Sequence, residues 1–139
     1  NDHFFKGRYQ DIRDYEKYLS RNGFVIFKFF LHISKDEQKK RFLRRINLPK
    51  KHWKFSSADI REWQYWDKYQ KAYEKAINAT ATKKNPWYVV PADDKWYSRL
   101  IVSDILTKEI EKLPLAYPVL SPDEAARLDA AKEELLNEK

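Results

Sequence analysis

Apolar residues recur at Ile12, Tyr15 and Leu19, which share one face of a helix over residues 10–22, and Gly23 supplies its stop. Residues 24–33 are nearly continuous in apolar character and rich in aromatic and β-branched side chains. That is the pattern of a central parallel strand covered on both faces. Ser34-Lys35-Asp36-Glu37 then reads as a capping box, Ser34 accepting from orphan amides while Glu37 reaches back. The helix it opens is expected to run to about Ile46, and Pro49 marks a break. Ser56 or Ser57, with Asp59 in the first turn, opens a long helix to about Ala79. It carries Ile60, Trp63, Trp66, Tyr69, Tyr73 and Ile77. A second short strand, residues 87–90, ends at Pro91, and Asp93 or Asp94 caps a helix that buries Leu100, Ile101, Ile105 and Leu113. Pro114 and Pro118 bracket an extended stretch. Ser121-Pro122-Asp123-Glu124 combines a capping box with a proline at the first helical position, which predicts a polar terminal helix over residues 122–137.

Strands alternating with helices point to an α/β protein with a parallel sheet. Two strands make no independent sheet, so the pattern calls for neighbouring strands that these residues do not contain. It reads as the second half of an α/β domain. Lys28 inside the apolar strand requires a carboxylate partner or a strand end near solvent.

Composition removes several classes. There is no cysteine, hence no disulfide framework, thiol nucleophile or thiolate metal site. His3, His32 and His52 have no local metal-ligand spacing. The two glycines, Gly7 and Gly23, cannot build a glycine-rich phosphate loop. The longest apolar run is too short to span a bilayer, so no membrane association is expected. The chain has no methionine and shows no leader, which suits a segment of a larger, cytoplasmic protein.

Charge is concentrated. Residues 35–54 hold nine Lys or Arg against Asp36 and Glu37, which accounts for the whole formal surplus of +7. The other residues carry nineteen charges of each sign. A concentrated positive field attracts a polyanion. On a helical wheel Arg41, Arg44 and Arg45 share a face opposite Phe42, Leu43 and Ile46, so the arginines are expected to project outward. With Lys50, Lys51 and Lys54 they form either a phosphate grip or a solvated face neutralised by Asp36 and Glu37. Trp53 and Phe55, interleaved with these lysines, suit base stacking, a lid folded onto the core, or simple packing. The Trp63, Trp66, Tyr69, Tyr73 stripe suits a core or a subunit interface. His32, at the strand end, suits either a phosphate contact or a structural role.

The run from Lys28 through Ser34, Asp36 and Glu37 to Arg41-Phe42, with Pro49 and Trp53-Lys54-Phe55-Ser56, resembles the polyphosphate kinase 2 family. Tyr65-Trp66-Asp67, Ala72-Tyr73, Pro86-Trp87-Tyr88-Val89-Val90-Pro91-Ala92-Asp93 and Lys95-Trp96 extend the resemblance from about Gly7 to Leu113. It implies the C-terminal half of an α/β P-loop kinase fold, thymidylate-kinase-like, with parallel strands and a helical lid at about residues 40–80. Residues 1–113 would be the kinase part and 114–139 an extended segment with a helix. The implied reaction is Mg²⁺-dependent phosphoryl transfer between inorganic polyphosphate and a nucleotide (ADP/ATP, AMP or GDP/GTP), in a cytoplasmic homo-oligomer.

The resemblance makes Arg41, Arg44, Arg45, Lys50, Lys51, Lys54 and Arg61 the phosphate-binding lid residues. The Walker motifs, and with them the Mg²⁺ ligands, are not in this sequence, so the chain alone is expected to be inactive. The other reading open to the sequence is a small basic module that binds RNA or another polyanion without catalysis; within the family, nucleic acid is not an expected partner.

Overall fold

Two five-residue strands, β1 (Lys28–His32) and β2 (Trp87–Pro91), pair in parallel, Lys28 opposite Trp87 and His32 opposite Pro91. Around them in this computed structural model run α1 (Asp2–Arg21), α2 (Lys35–Asn47), a 3₁₀ helix (Pro49–Lys54), α3 (Ser57–Trp63), α4 (Trp66–Thr80), α5 (Lys95–Ile110) and α6 (Pro122–Asn137). The structure describes residues 2–137; Asn1, Glu138 and Lys139, at the outer ends of the two expected segments, lie outside them. The α/β class expected from the pattern is the one observed. The chain divides into two units, Asn1–Lys108 and Glu109–Lys139.

The first unit is organised around a buried ion pair. Lys28 Nζ lies 2.8 Å from Glu16 Oε1, and both side chains are 9% exposed. The ammonium also donates to the Thr80 carbonyl at 2.9 Å and sits 5.3 Å from the Trp87 ring centre. Trp87 Nε1 donates to Thr80 Oγ1 at 2.9 Å, and that hydroxyl donates to the Ala76 carbonyl at 2.7 Å. One charge pair thus ties α1, β1, α4 and β2 together. Of the two options its position left open, Lys28 takes the carboxylate partner. Among the described residues only Val90 and Ala92 are buried hydrophobics, whereas Glu16, Lys28, Thr80, Asn85 and Ser98 are buried polar groups. Arg13 donates to the Ala79 carbonyl, placing a cation at the C-terminal end of α4, where the helix dipole favours it.

Several boundaries differ from the pattern. α1 begins near Asp2 rather than residue 10; Phe4 and Phe5 are more than half exposed, so no buried face marked its first turns. It stops at Gly23, whose φ of +84° lies in the left-handed region. There the Phe24 amide bonds to the Leu19 carbonyl at 3.2 Å, a helix-closing bond. β1 spans half of the expected strand: Phe24, Val25 and Leu31 are exposed. It pairs only with β2 among the described residues, so its outer edge and part of its faces lack cover.

The long helix expected over residues 56–79 is two helices. At the junction the amides of Gln64 and Tyr65 bond three residues back, to Arg61 and Glu62, so the ladder tightens and the chain turns. Ser56 caps α3 through the Ala58 amide at 3.3 Å. Leu100 is exposed on α5, Ile101 and Ile105 are half-buried, and the small Ser98 takes the buried position instead. In the second unit the capping box at α6 closes both ways: Glu124 N–H reaches Ser121 Oγ at 3.3 Å, and Ser121 N–H reaches Glu124 at 2.9 Å.

Removing one member of a buried pair strands the other charge. Glu16→Leu is expected to destabilise the chain by about 3–5 kcal/mol, while Glu16→Leu with Lys28→Met recovers most of the loss. Urea midpoints of the three proteins check this, and additive losses would contradict it.

Candidate functional site

Because the strands are parallel, their C-terminal ends lie together, and each leads into a helix: β1 into α2, β2 into α5. Ligands of open parallel sheets bind at that end. The two strand-to-helix turns are bonded to each other. Asp93 accepts from the Ser34 amide at 2.7 Å, while Ser34 Oγ caps α2 through the Glu37 amide at 3.1 Å. Asp94, not Asp93, caps α5, accepting from the amides of Trp96 at 2.7 Å and Tyr97 at 3.1 Å. Glu37 does not return to Ser34; its carboxylate pairs with Arg41 Nε at 2.8 Å. The capping box expected at α2 is therefore half-formed, since Asp93 takes the amide that Glu37 would have reached.

The three arginines do not act as one outward face. Arg41 turns across the strand ends, donating to the carbonyls of Ala92 at 2.7 Å and Asp93 at 3.1 Å. Arg45 faces Asp59 of α3 at 3.6 Å. Arg44 remains exposed, and so do Leu43 and Ile46 on the supposedly packed face. Arg61 is exposed in the last turn of α3. Arg41 and Arg45 thus turn to acceptors that are near in space, which the helical wheel does not contain.

What the fold does gather is a group of cations with no ion-pair partner among the described residues. The Lys51 ammonium is held below its usual pKa by partial desolvation first, then by repulsion from Arg44, Lys95, Lys50 and Lys54. Lys95, at the start of α5, joins this group from more than forty residues away in the chain; its sequence signals were its place just after a capped strand end and its part in the Lys95-Trp96 match. His52 ties the 3₁₀ helix to α2 by a ring contact of 2.8 Å to the Ile46 carbonyl. Lys54 lies over the Trp53 ring at 4.6 Å, and Trp53 itself is 79% exposed, so it is not a packed residue. His32 is exposed at the end of β1.

The Asp93 carboxyl is held below its ordinary value of 3.8 by the bonds from Ser34, with the charges of Arg41 and His32 adding to the effect. On α4, Tyr69 donates to Glu62, and that bond raises the phenol above its usual range.

The family model for polyphosphate kinase 2 matches residues 1–115. The chain belongs to the polyphosphate kinase 2 family. It is 50% identical over 133 residues to the ADP-polyphosphate phosphotransferase of Rhodopseudomonas palustris, covering 96% of this chain and 46% of that protein. It is 49% identical over 111 residues to the AMP/ADP-polyphosphate phosphotransferase of Meiothermus ruber, covering 80% of this chain and 42% of that one. Among solved structures, polyphosphate kinase 2 from Arthrobacter aurescens superposes with a TM-score of 0.87 at 42% identity, over 96% of this chain and 47% of that chain. The chain therefore spans about half the length of these relatives, and its fold is the corresponding part of their α/β P-loop kinase fold.

A carboxylate with a lowered folded pKa adds stability above its unfolded pKa and loses it as pH falls through the folded value. Asp93→Asn is therefore expected to flatten the fall in stability below about pH 4. Thermal melts of both proteins across pH 2–6 test it; an unchanged acid limb would show that Asp93 does not link the two turns.

Proposed function

We propose that this chain forms the lid and phosphate-gripping part of an enzyme that transfers a phosphoryl group between inorganic polyphosphate and a nucleoside mono- or diphosphate. The observation that carries this reading is the group of Arg44, Lys50, Lys51, Lys54 and Lys95, gathered beside the C-terminal ends of two parallel strands without acidic partners among the described residues. In the forward reaction a terminal oxygen of the nucleotide attacks the end phosphorus of the polyphosphate. One P–O–P bond breaks, and the polyphosphate leaves one unit shorter. Charge spreads over the equatorial oxygens of the moving group, where fixed cations stabilise it.

Arg44, Lys50, Lys51 and Lys54 take this role in the present reading, with Lys95 added. Arg45 and Arg61 flank them on α2 and α3. Arg41 becomes a positioning residue, because its guanidinium is already engaged by Glu37 and two carbonyls. The resemblance to relatives named for AMP and ADP supports both acceptor classes. Mg²⁺ is part of the proposal, yet the residues here do not fit it: among the described residues no three His, Asp or Glu side chains gather into a metal site. Its ligands, and the phosphate loop, would have to come from outside these residues. The proposal includes a cytoplasmic homo-oligomer; among the described residues no helix is long and apolar enough to cross a membrane.

Long-chain polyphosphate, Mg²⁺ and ADP or AMP, with ATP and ADP formation as the readout, form the direct assay. The chain alone is expected to bind polyphosphate without turnover, and adding the phosphate-loop half of a relative is expected to produce ATP. Arg44→Ala with Lys51→Ala is expected to weaken polyphosphate binding at least about 10-fold and to lower complemented turnover about 10²-fold, with the melting curve unchanged. Undiminished binding and turnover would remove these residues from the site. Polyphosphate and RNA binding of equal strength, with no turnover under complementation, would favour a polyanion-binding module instead.

A further inference from the structure

A half-open cavity of about 210 Å³ lies between α2, α3 and α4 and is lined by all three. Phe42, Trp63, Trp66 and Tyr69 contribute aromatic walls, and Gln38 and Gln70 contribute amide groups. Trp63 Nε1 is buried, and among the described residues it has no hydrogen-bond partner. Orphaned buried donors are rare in folded proteins and ask for an explanation. The half-buried Gln38 and Gln70 add side-chain amides to the same lining. One unmet buried donor, with two side-chain amides beside it, thus lines an aromatic-walled space several times the roughly 30 Å³ share of a single water.

We propose that this cavity receives the heterocyclic base of a nucleotide. The inference rests on the phosphotransferase reading and adds to it where the base is held. A flat π-system is the shape that aromatic walls accept, and base–aromatic stacking is favourable for any base. The edge of a base offers a ring nitrogen or carbonyl to the Trp63 N–H, and paired donors and acceptors to the two amides. The phosphate end is excluded, because Asp59 and Glu62 also line the cavity and would repel it. Asp59 is paired with Arg45, so a cation stands one contact away from the base. A base held here is therefore flanked by α2, which carries Arg44 and Arg45.

Adenosine is the probe, since it carries a base and no phosphate. In a ¹⁵N-labelled sample, the indole N–H signal of Trp63 is identified as the one that Trp63→Phe removes. Adenosine is expected to shift it saturably. Trp63→Phe is expected to weaken adenosine binding, read by equilibrium dialysis, about 5–10-fold. If that variant does not fold, Gln38→Leu with Gln70→Leu serves with the same expected direction. An indole signal unmoved by millimolar adenosine, or moved equally by ribose 5-phosphate, would overturn the proposal, as would unchanged binding in the variants. Polyphosphate binding that persists while adenosine fails to bind would sink this inference alone. Adenosine binding without any transfer under complementation would sink the phosphotransferase reading and leave the base site standing.

Discussion

The contact between Glu16 and Lys28 is the constraint on which the first unit depends. With only Val90 and Ala92 as buried hydrophobics among the described residues, apolar burial alone gives little reason for α1, the sheet and α4 to hold one arrangement. The ion pair does, because either charge left alone in that position would be expensive, and both are satisfied only when α1 lies across the start of β1. Thr80 extends the requirement to the end of α4, and through its hydroxyl to the indole of Trp87 on β2. A thin core is thus given a single geometry by polar groups that have one way to be satisfied together.

The same logic builds the other end of the sheet. Parallel pairing brings two strand-to-helix turns side by side, and Asp93, Ser34, Glu37 and Arg41 bond across them. Those bonds consume one arginine and fix where α2 and α5 begin. Of the cations left over, Lys51 has its pKa lowered by partial desolvation first and then by repulsion from Arg44, Lys95, Lys50 and Lys54. A repulsive group of this kind costs stability while empty and becomes favourable around an anion.

The local signals in the sequence were accurate where a residue acts on its own neighbours. Ser34 caps α2, the Ser121–Glu124 box opens α6, Gly23 closes α1, and the second strand falls at residues 87–91. They were inaccurate where a distant group competes. Glu37 was taken from its capping role by Arg41, and Asp93 took its place at Ser34 from fifty-nine residues away. Trp63 to Trp66 keeps helical spacing on paper, yet a tightened turn at Gln64 and Tyr65 splits the helix and helps to shape the cavity between α2, α3 and α4. The apolar run at 24–33 overstated β1, because such a run reports affinity for cover and not the presence of it.

Sequence alone determined the α/β class, the alternation of strands and helices, the twenty-residue stretch that holds the charge surplus, and the oddity of Lys28 in an apolar strand, while the family came from its resemblance to known sequences. These follow from periodicity, capping chemistry and the valence of single residues, all of which act within a few positions of the chain. Only the tertiary structure decided that the counter-ion is Glu16, that Arg41 and Arg45 are engaged while Arg44 is free to the solvent, that Lys95 stands with the lid lysines, and that the Trp63 indole faces a cavity without a partner. The reason is common to all four: hydrogen bonds and charges are settled by distance in space, and the packing of α2 and α5 at the ends of parallel strands sets distances that no local pattern contains.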